Sequence, residues 1–303
     1  MSELATSTLE TIDLNKLSAY SDDVRRSTWF NLKLSISGDA GTGKSTFALE
    51  EAAYIASMFP DITVPLYVVD TDDAIMSNLT DKIVREKLIK AGVDLKIINT
   101  TKILHSHKNL MEGYIKLLDT LYELRDEVTK AETPVIMIMD SLTDLRTNAA
   151  IAMTQARYEK ESKDPTKKIS KTSTTGNVAD MLKDTSTQGL DWMKVKSIMI
   201  DLTSIAKNSN IHAIFTSKEK YEKIENKMIP KLDGYAGIAY DCAVNMRIYK
   251  EEDIVNGESK MTRKIEIKKF RLGRETAEEI YVIPGNFDDY MQFVEEKLKV
   301  QYA

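Results

Sequence analysis

The stretch Gly38-Asp39-Ala40-Gly41-Thr42-Gly43-Lys44-Ser45-Thr46 has the residue types and the order needed to cradle a phosphate. Its glycines let the backbone turn N–H groups inward around an anion along a path that a Cβ would obstruct. Lys44 then meets the β- and γ-phosphates as a point charge, and the Ser45 hydroxyl reaches Mg²⁺. A second candidate is the apolar run Val135-Ile136-Met137-Ile138-Met139, which ends in Asp140-Ser141. An acid at the end of such a strand, downstream of a phosphate-binding lysine, is placed to hold the Mg²⁺ shell through water. Leu66-Tyr67-Val68-Val69 likewise delivers Asp70-Thr71-Asp72-Asp73 to its C-terminal end. The strand Ile211 to Phe215 closes on Thr216-Ser217, polar residues where a γ-phosphate sensor would sit.

Other residues carry weaker signals. Lys269 and Arg271 are two apart on an alternating stretch, so both project from one face. Paired cations there serve either as a solvated edge or as a finger reaching an anion on a neighbouring subunit. His105 and His107 form an H-x-H pair with no third ligand nearby, which favours a polar connector over a metal site. Cys242 stands alone, so no internal disulfide forms and the chain suits a reducing cytoplasm.

These residues need elements to position them. Asn31 to Ser37 alternates as a strand, and Phe47, Ala48, Ala52, Ile55 and Phe59 then recur on one side of a helix that Pro60 ends. A polar helix is expected over Ala74 to Lys90 and a strand over Leu95 to Asn99. A long helix should carry Leu110, Tyr114, Leu117, Leu121, Leu124 and Val128 toward the core, and a later one Trp192, Val195, Met199, Leu202 and Ile205. From Thr154 to Gly189 the apolar pattern lapses while Arg157, Lys160, Lys163, Lys167, Lys168 and Lys171 accumulate around Tyr158. Such a stretch is a loop that orders on a polyanion or a solvated insert. A second cationic stretch, also read as a loop, holds Lys218, Lys220, Lys223, Lys227 and Lys231 around Tyr221. Ala243 to Tyr249 and Lys264 to Phe270 pair through a turn at Asn256-Gly257, and an amphipathic helix from Asp288 to Lys299 closes the chain.

The expected fold is therefore α/β, with a mainly parallel sheet flanked by helices and a C-terminal antiparallel hairpin. Residues 1–27 read as a polar extension and 28–303 as one core. A net charge of −5 excludes a generally cationic nucleic-acid coat, so any such contact must come from local basic loops. No apolar run approaches membrane-spanning length.

Taken together, the P-loop, Val69-Asp70-Thr71-Asp72, Ile138-Met139-Asp140-Ser141-Leu142 and Lys269-Phe270-Arg271 resemble the RecA-like ATPases. The likeness is greatest to short phage-type members that act in recombination and single-strand annealing. It implies ATP and Mg²⁺ as cofactors, with Asp72 activating water in place of the usual longer Glu and Asp70 or Asp73 as the alternatives. Asp140 then falls at the metal shell, Thr216 or Ser217 at the sensor, and Lys269 and Arg271 at the trans-acting cations. It further implies a homo-oligomer with nucleotide between subunits, single-stranded DNA on the two basic stretches, and residence in the cytoplasm, of a host cell for a phage protein. The residues alone leave two alternatives open. One is a nucleotide-switched loader or scaffold acting on a protein partner; the other is a P-loop kinase, against which the lack of an arginine-rich lid weighs.

Overall fold

The structure is a computed structural model and describes residues 32–107, 110–129, 133–162, 189–206, 211–255, 258–271 and 280–302. The extension read over 1–27, the basic segment from Lys163 through Lys171 and the Asn256-Gly257 turn lie outside them, as do the side chains of Arg157, Tyr158 and Lys160.

Strand β1 (Lys33–Ser37) precedes the P-loop and helix α1 (Lys44–Ser57) follows it. The remaining strands are β2 (Val64–Asp70), β3 (Val93–Asn99), β4 (Val135–Asp140), β5 (Ile211–Ile224), β6 (Lys227–Asp233), β7 (Val244–Val255), β8 (Glu258–Phe270) and β9 (Tyr281–Pro284). They form one sheet in the order β3-β2-β4-β5-β1-β7-β8-β9, with β6 paired to β5. From β3 to β7 all neighbours run parallel, while β8, β9 and β6 return antiparallel. This is the expected parallel sheet with a C-terminal hairpin.

Parallel sheets are covered on both faces, and side chains alternate between them. One face, with Leu34, Ile36, Leu66, Val68, Ile136, Ile138 and Ile214, packs under α1 and the C-terminal helix α9 (Phe287–Tyr302). Phe47 meets the rings of Phe287 and Tyr290 edge-on at 5.2 and 5.1 Å, which fastens α9 to α1. The other face, with Val69, Met137, Met139, Ala213 and Phe215, packs under α5 (Leu110–Thr129), α6 (Leu142–Ser162) and α7 (Gly189–Ala206). Tyr114, Leu117, Leu121, Leu124 and Val128 are buried as their spacing requires. On α7, Val195, Met199 and Leu202 are buried, and the side chains of Trp192 and Ile205 lie outside the described residues.

Three expectations need correction. The single helix over Ala74 to Lys90 is two, α2 (Ala74–Asn78) and α3 (Lys82–Lys90), because the Asp81 carboxylate accepts from the Ile83 amide at 2.8 Å and starts a new helix. The lapse placed at Thr154 comes later, since α6 runs on to Ser162. Finally, the cationic stretch from Lys218 to Lys231 is no irregular loop. β5 continues past Ser217 and pairs with β6 from Lys218↔Asp233 to Ile224↔Lys227, turning on Glu225 and Asn226, both at positive φ.

Two short helices, α4 (Thr100–His105), which ends on the first histidine of the H-x-H pair, and α8 (Ile238–Asp241), complete the fold. No described helix is long and apolar enough to cross a membrane.

Candidate active site

Strand register decides which residues meet. Ser37 pairs with Ser217 and Asp70 with Asp140, so the strand ends carrying the predicted chemistry finish along one edge of the sheet. The P-loop leaves β1 at that edge. A Cβ at Gly38 would lie 2.1 Å from the Ile248 carbonyl, and Gly43 adopts φ +89, so the turn requires glycine at both positions. Gly43 caps α1 without a side-chain hydrogen bond, leaving first-turn amides directed at the cradle. Thr42 Oγ1 donates to the Asp39 carbonyl at 2.9 Å and stiffens the loop.

Lys44 Nζ donates to the Gly38 and Asp39 carbonyls at 2.9 and 2.7 Å. Burial lowers its pKa, and the nearby charges of Asp140, Glu219 and Asp39 oppose that shift. Across the cradle, burial pushes the Asp140 carboxyl up, tempered by the hydroxyls of Ser45 and Thr216. Thr216 Oγ1 donates to Asp140 Oδ1, while Oδ2 is buried without a hydrogen bond. Burial also pushes Asp70 up to about 6, with the charges of Asp140 and Asp72 adding to it. Both Asp70 oxygens lack a well-formed hydrogen bond; the amides of Asp72 and Met76 lie close enough only to moderate the rise. Ser217 Oγ is also buried without a partner, but it lies on the other face of β5, with Ala213 and Phe215 and near Gly234, and is not part of this cluster. Asp72 is exposed at the rim, where its carboxylate accepts from the Ala74 amide at 3.2 Å.

Unpartnered buried oxygens are costly, and here they converge on one ledge with a lysine and a serine hydroxyl. That donor set suits a hard divalent cation carrying phosphate: Ser45 and Asp140 would hold Mg²⁺, with Asp70 behind them. When bound, the ion supplies charge neutralisation along the phosphates. Lys44 and the first-turn amides would bind phosphate oxygens.

The structure thus brings together Lys44, Ser45, Asp72, Asp140 and Thr216, and leaves the Ser217 side chain on the opposite face of the sheet, so of the two sensor candidates only Thr216 meets Asp140. Thr46 is turned elsewhere, its hydroxyl donating to Asn78 Oδ1 at 2.9 Å. Lys269 and Arg271 are not at this edge. Because β8 runs antiparallel, its end pairs with the start of β7, and Phe270↔Val244 sits beside Leu34 near the beginning of β1. Lys269 Nζ there donates to the Ala239 and Tyr240 carbonyls at 3.1 and 2.8 Å.

Sequence reasoning missed the residues that tie the β5–β6 hairpin to the P-loop. Glu219, almost fully buried, accepts from Ser37 Oγ at 2.9 Å and pairs with Arg247 at 2.9 Å. Tyr221 donates its hydroxyl to Asp39 Oδ2 at 2.8 Å. Continuing the alternation Phe215, Ser217, Glu219, Tyr221 would have placed them on one side. On α6, Asp144 pairs with Lys218 and Arg146 with Asp233, both at 2.8 Å, holding the hairpin base from the other side.

No protein-family model matches the chain, and no curated protein matches it. Among solved structures, the chain is similar to a KaiC-like protein from the hyperthermophilic archaeon Pyrococcus horikoshii, with 14% identity over 84% of each chain and a TM-score of 0.41.

Proposed function

We propose that the chain is a Mg²⁺-dependent ATPase whose subunits assemble with nucleotide between them and act on single-stranded DNA. The observation that carries the reading is the pair of unpartnered buried carboxylates Asp70 and Asp140 at neighbouring strand ends, with Asp140 facing Lys44 and Ser45. Phosphoryl transfer needs positioning and charge neutralisation more than covalent chemistry, and this ledge offers both. Asp72 and Asp73 are both exposed on the rim; Asp72, whose charge reaches Asp140, is the acid assigned to orient an attacking water.

The assembly reading rests on the resemblance, and the remaining cations say what it requires. Lys269 and Arg271 sit at the edge opposite their own P-loop, so a role in phosphate chemistry requires a neighbouring subunit and requires Lys269 to leave its two carbonyls. The DNA reading rests on the hairpin, where Lys220, Lys223 and Lys227 stand in no ion pair among the described residues and Tyr221 is 44% exposed. Met228 and Ile229 are exposed on the same hairpin and favour a second reading, a protein partner in place of DNA. The recombination role, a phage origin and cytoplasmic residence belong to this proposal through the resemblance alone.

Phosphate release from Mg·ATP, measured with and without single-stranded DNA for the parent and for Lys44→Ala, tests it. The parent should turn over, faster with DNA, and Lys44→Ala should lose about 10²-fold or more. Equal release by both proteins overturns the ATPase reading. Turnover that DNA does not change overturns the DNA reading and favours the protein partner.

A further inference from the structure

The β7–β8 hairpin passes beside the P-loop and carries charge there that nothing in the described structure balances. Ile248 pairs with Ile265 on the face buried under α1 and α9, and one step further along that face Lys250 pairs with Arg263. Residues directly opposite on antiparallel strands project to the same side, so two cations stand together just past the apolar layer. That position is against the cradle. A Cβ added at Gly43 would lie 2.5 Å from an Arg263 guanidinium nitrogen. Gly285 makes room for the stem, since a Cβ there would lie 2.5 Å from Arg263 Cγ, and its amide donates to the Arg263 carbonyl at 2.8 Å.

The opposite face of the same hairpin is matched. Lys264 pairs with Glu251 and Asp253 at 2.7 and 2.9 Å, Arg247 with Glu219, and Lys268 with Glu266 at 3.8 Å. Lys250 and Arg263 have no ion pair among the described residues. Glu252, next along their face, accepts from Ser259 and pairs with neither. Like charges directly opposite on a ladder destabilise it unless an anion lies against them. Here the adjacent surface is one shaped for phosphate.

We infer that Lys250 and Arg263 form a second phosphate clamp, acting within the same chain and gripping the anionic tail of a nucleotide beside Lys44. The inference rests on the P-loop reading above and adds to it two residues remote in sequence. Arg263, the more enclosed and with a planar fork of donors, carries the larger share.

The test is equilibrium titration of the full chain with ATP, ADP and adenosine, for the parent, Lys44→Ala, Arg263→Ala, Arg263→Lys and Lys250→Ala. Arg263→Ala should weaken ATP and ADP about tenfold and Lys250→Ala about threefold. Adenosine, which has no phosphate, should bind all the proteins alike, and Arg263→Lys should recover part of the loss. Without nucleotide, the unfolding midpoint of Arg263→Ala should hold or rise, because a like-charge pair has been removed. An unchanged ATP affinity in Arg263→Ala, or a lowered midpoint with the affinity kept, overturns the clamp while leaving the P-loop reading in place. A parent that binds neither ATP nor ADP overturns the P-loop reading, and the clamp falls with it.

Discussion

Glu51, on the helix that starts at the P-loop, and Asp140, at the strand end facing it, are both buried acids that carry carboxylate oxygens without hydrogen bonds. Their surroundings differ. Glu51 lies under α9 among Phe47, Phe287 and Tyr290, whose hydroxyl is itself unpartnered, and burial alone pushes its carboxyl up to about 8. Asp140 ends a strand at the sheet edge and meets the hydroxyls of Ser45 and Thr216 and the charge of Lys44. Desolvation acts on both. In the core it leaves a neutral acid, whereas at the edge a lysine and two hydroxyl donors gather round the acid, as the proposed metal site requires. Burial without partners therefore marks a site only where opposite charge and an opening accompany it.

Removing each acid in turn breaks or confirms that distinction. Asp140→Asn should lower phosphate release about 10²- to 10³-fold while the folded state holds or gains stability, because the change removes a desolvated charge. Rates and denaturant midpoints measured together decide the matter. A variant that unfolds readily yet turns over normally when folded would make Asp140 a structural acid like Glu51.

Glu51→Gln should do the reverse, leaving nucleotide affinity alone and changing stability with pH. The unfolded chain releases this proton near the ordinary value of 4.5, the folded chain only at about 8. The stabilising contribution of the neutral acid is thus full below about pH 4.5 and is lost as pH rises toward 8. Relative to Glu51→Gln, the parent should lose roughly 2 to 3 kcal/mol between about pH 5.5 and about pH 7.5. Parallel stability curves for the two proteins would show that Glu51 ionises inside the fold without penalty.

Glu51 also shows how far the sequence could be read. The phosphate loop, both acid-tipped strands and the polar end Thr216-Ser217 were legible because each is a local pattern with a local physical cause. The buried stripe on α5 followed from helical spacing alone. Glu51 lies on the apolar side of α1 one turn beyond Phe47, yet that spacing says nothing of the α9 residues that cover it from the far end of the chain. The same limit hid Arg263. Asn256-Gly257 was read as a hairpin turn, and counting outward from it pairs Lys250 with Arg263, as observed. What no count supplies is that Arg263 comes to rest against Gly43, because β7 joins the sheet beside β1. The cationic stretch after Ser217 was misread for a related reason. Its lysines suggest a solvated loop, but Glu219 and Tyr221, on the inward side of β5, hold it to the P-loop.

A third acid extends the comparison to the surface. Asp39 stands in the phosphate loop, where Tyr221 reaches it from the hairpin. The bond is exposed, so water competes for both groups, and its loss should cost only about 1 kcal/mol. Tyr221→Phe keeps the ring and removes the donor. Amides between Lys218 and Asp233 should then exchange about fivefold faster, while the β7–β8 ladder exchanges as before. The ion pair of Glu219 with Arg247 and those of Lys218 with Asp144 and Arg146 with Asp233 remain, which is why the hairpin loosens and does not detach. Unchanged exchange in the hairpin would mean that those pairs alone hold it, and that Asp39 belongs only to the phosphate loop. A uniform acceleration through both ladders would mean that the tyrosine hydroxyl supports the sheet as a whole.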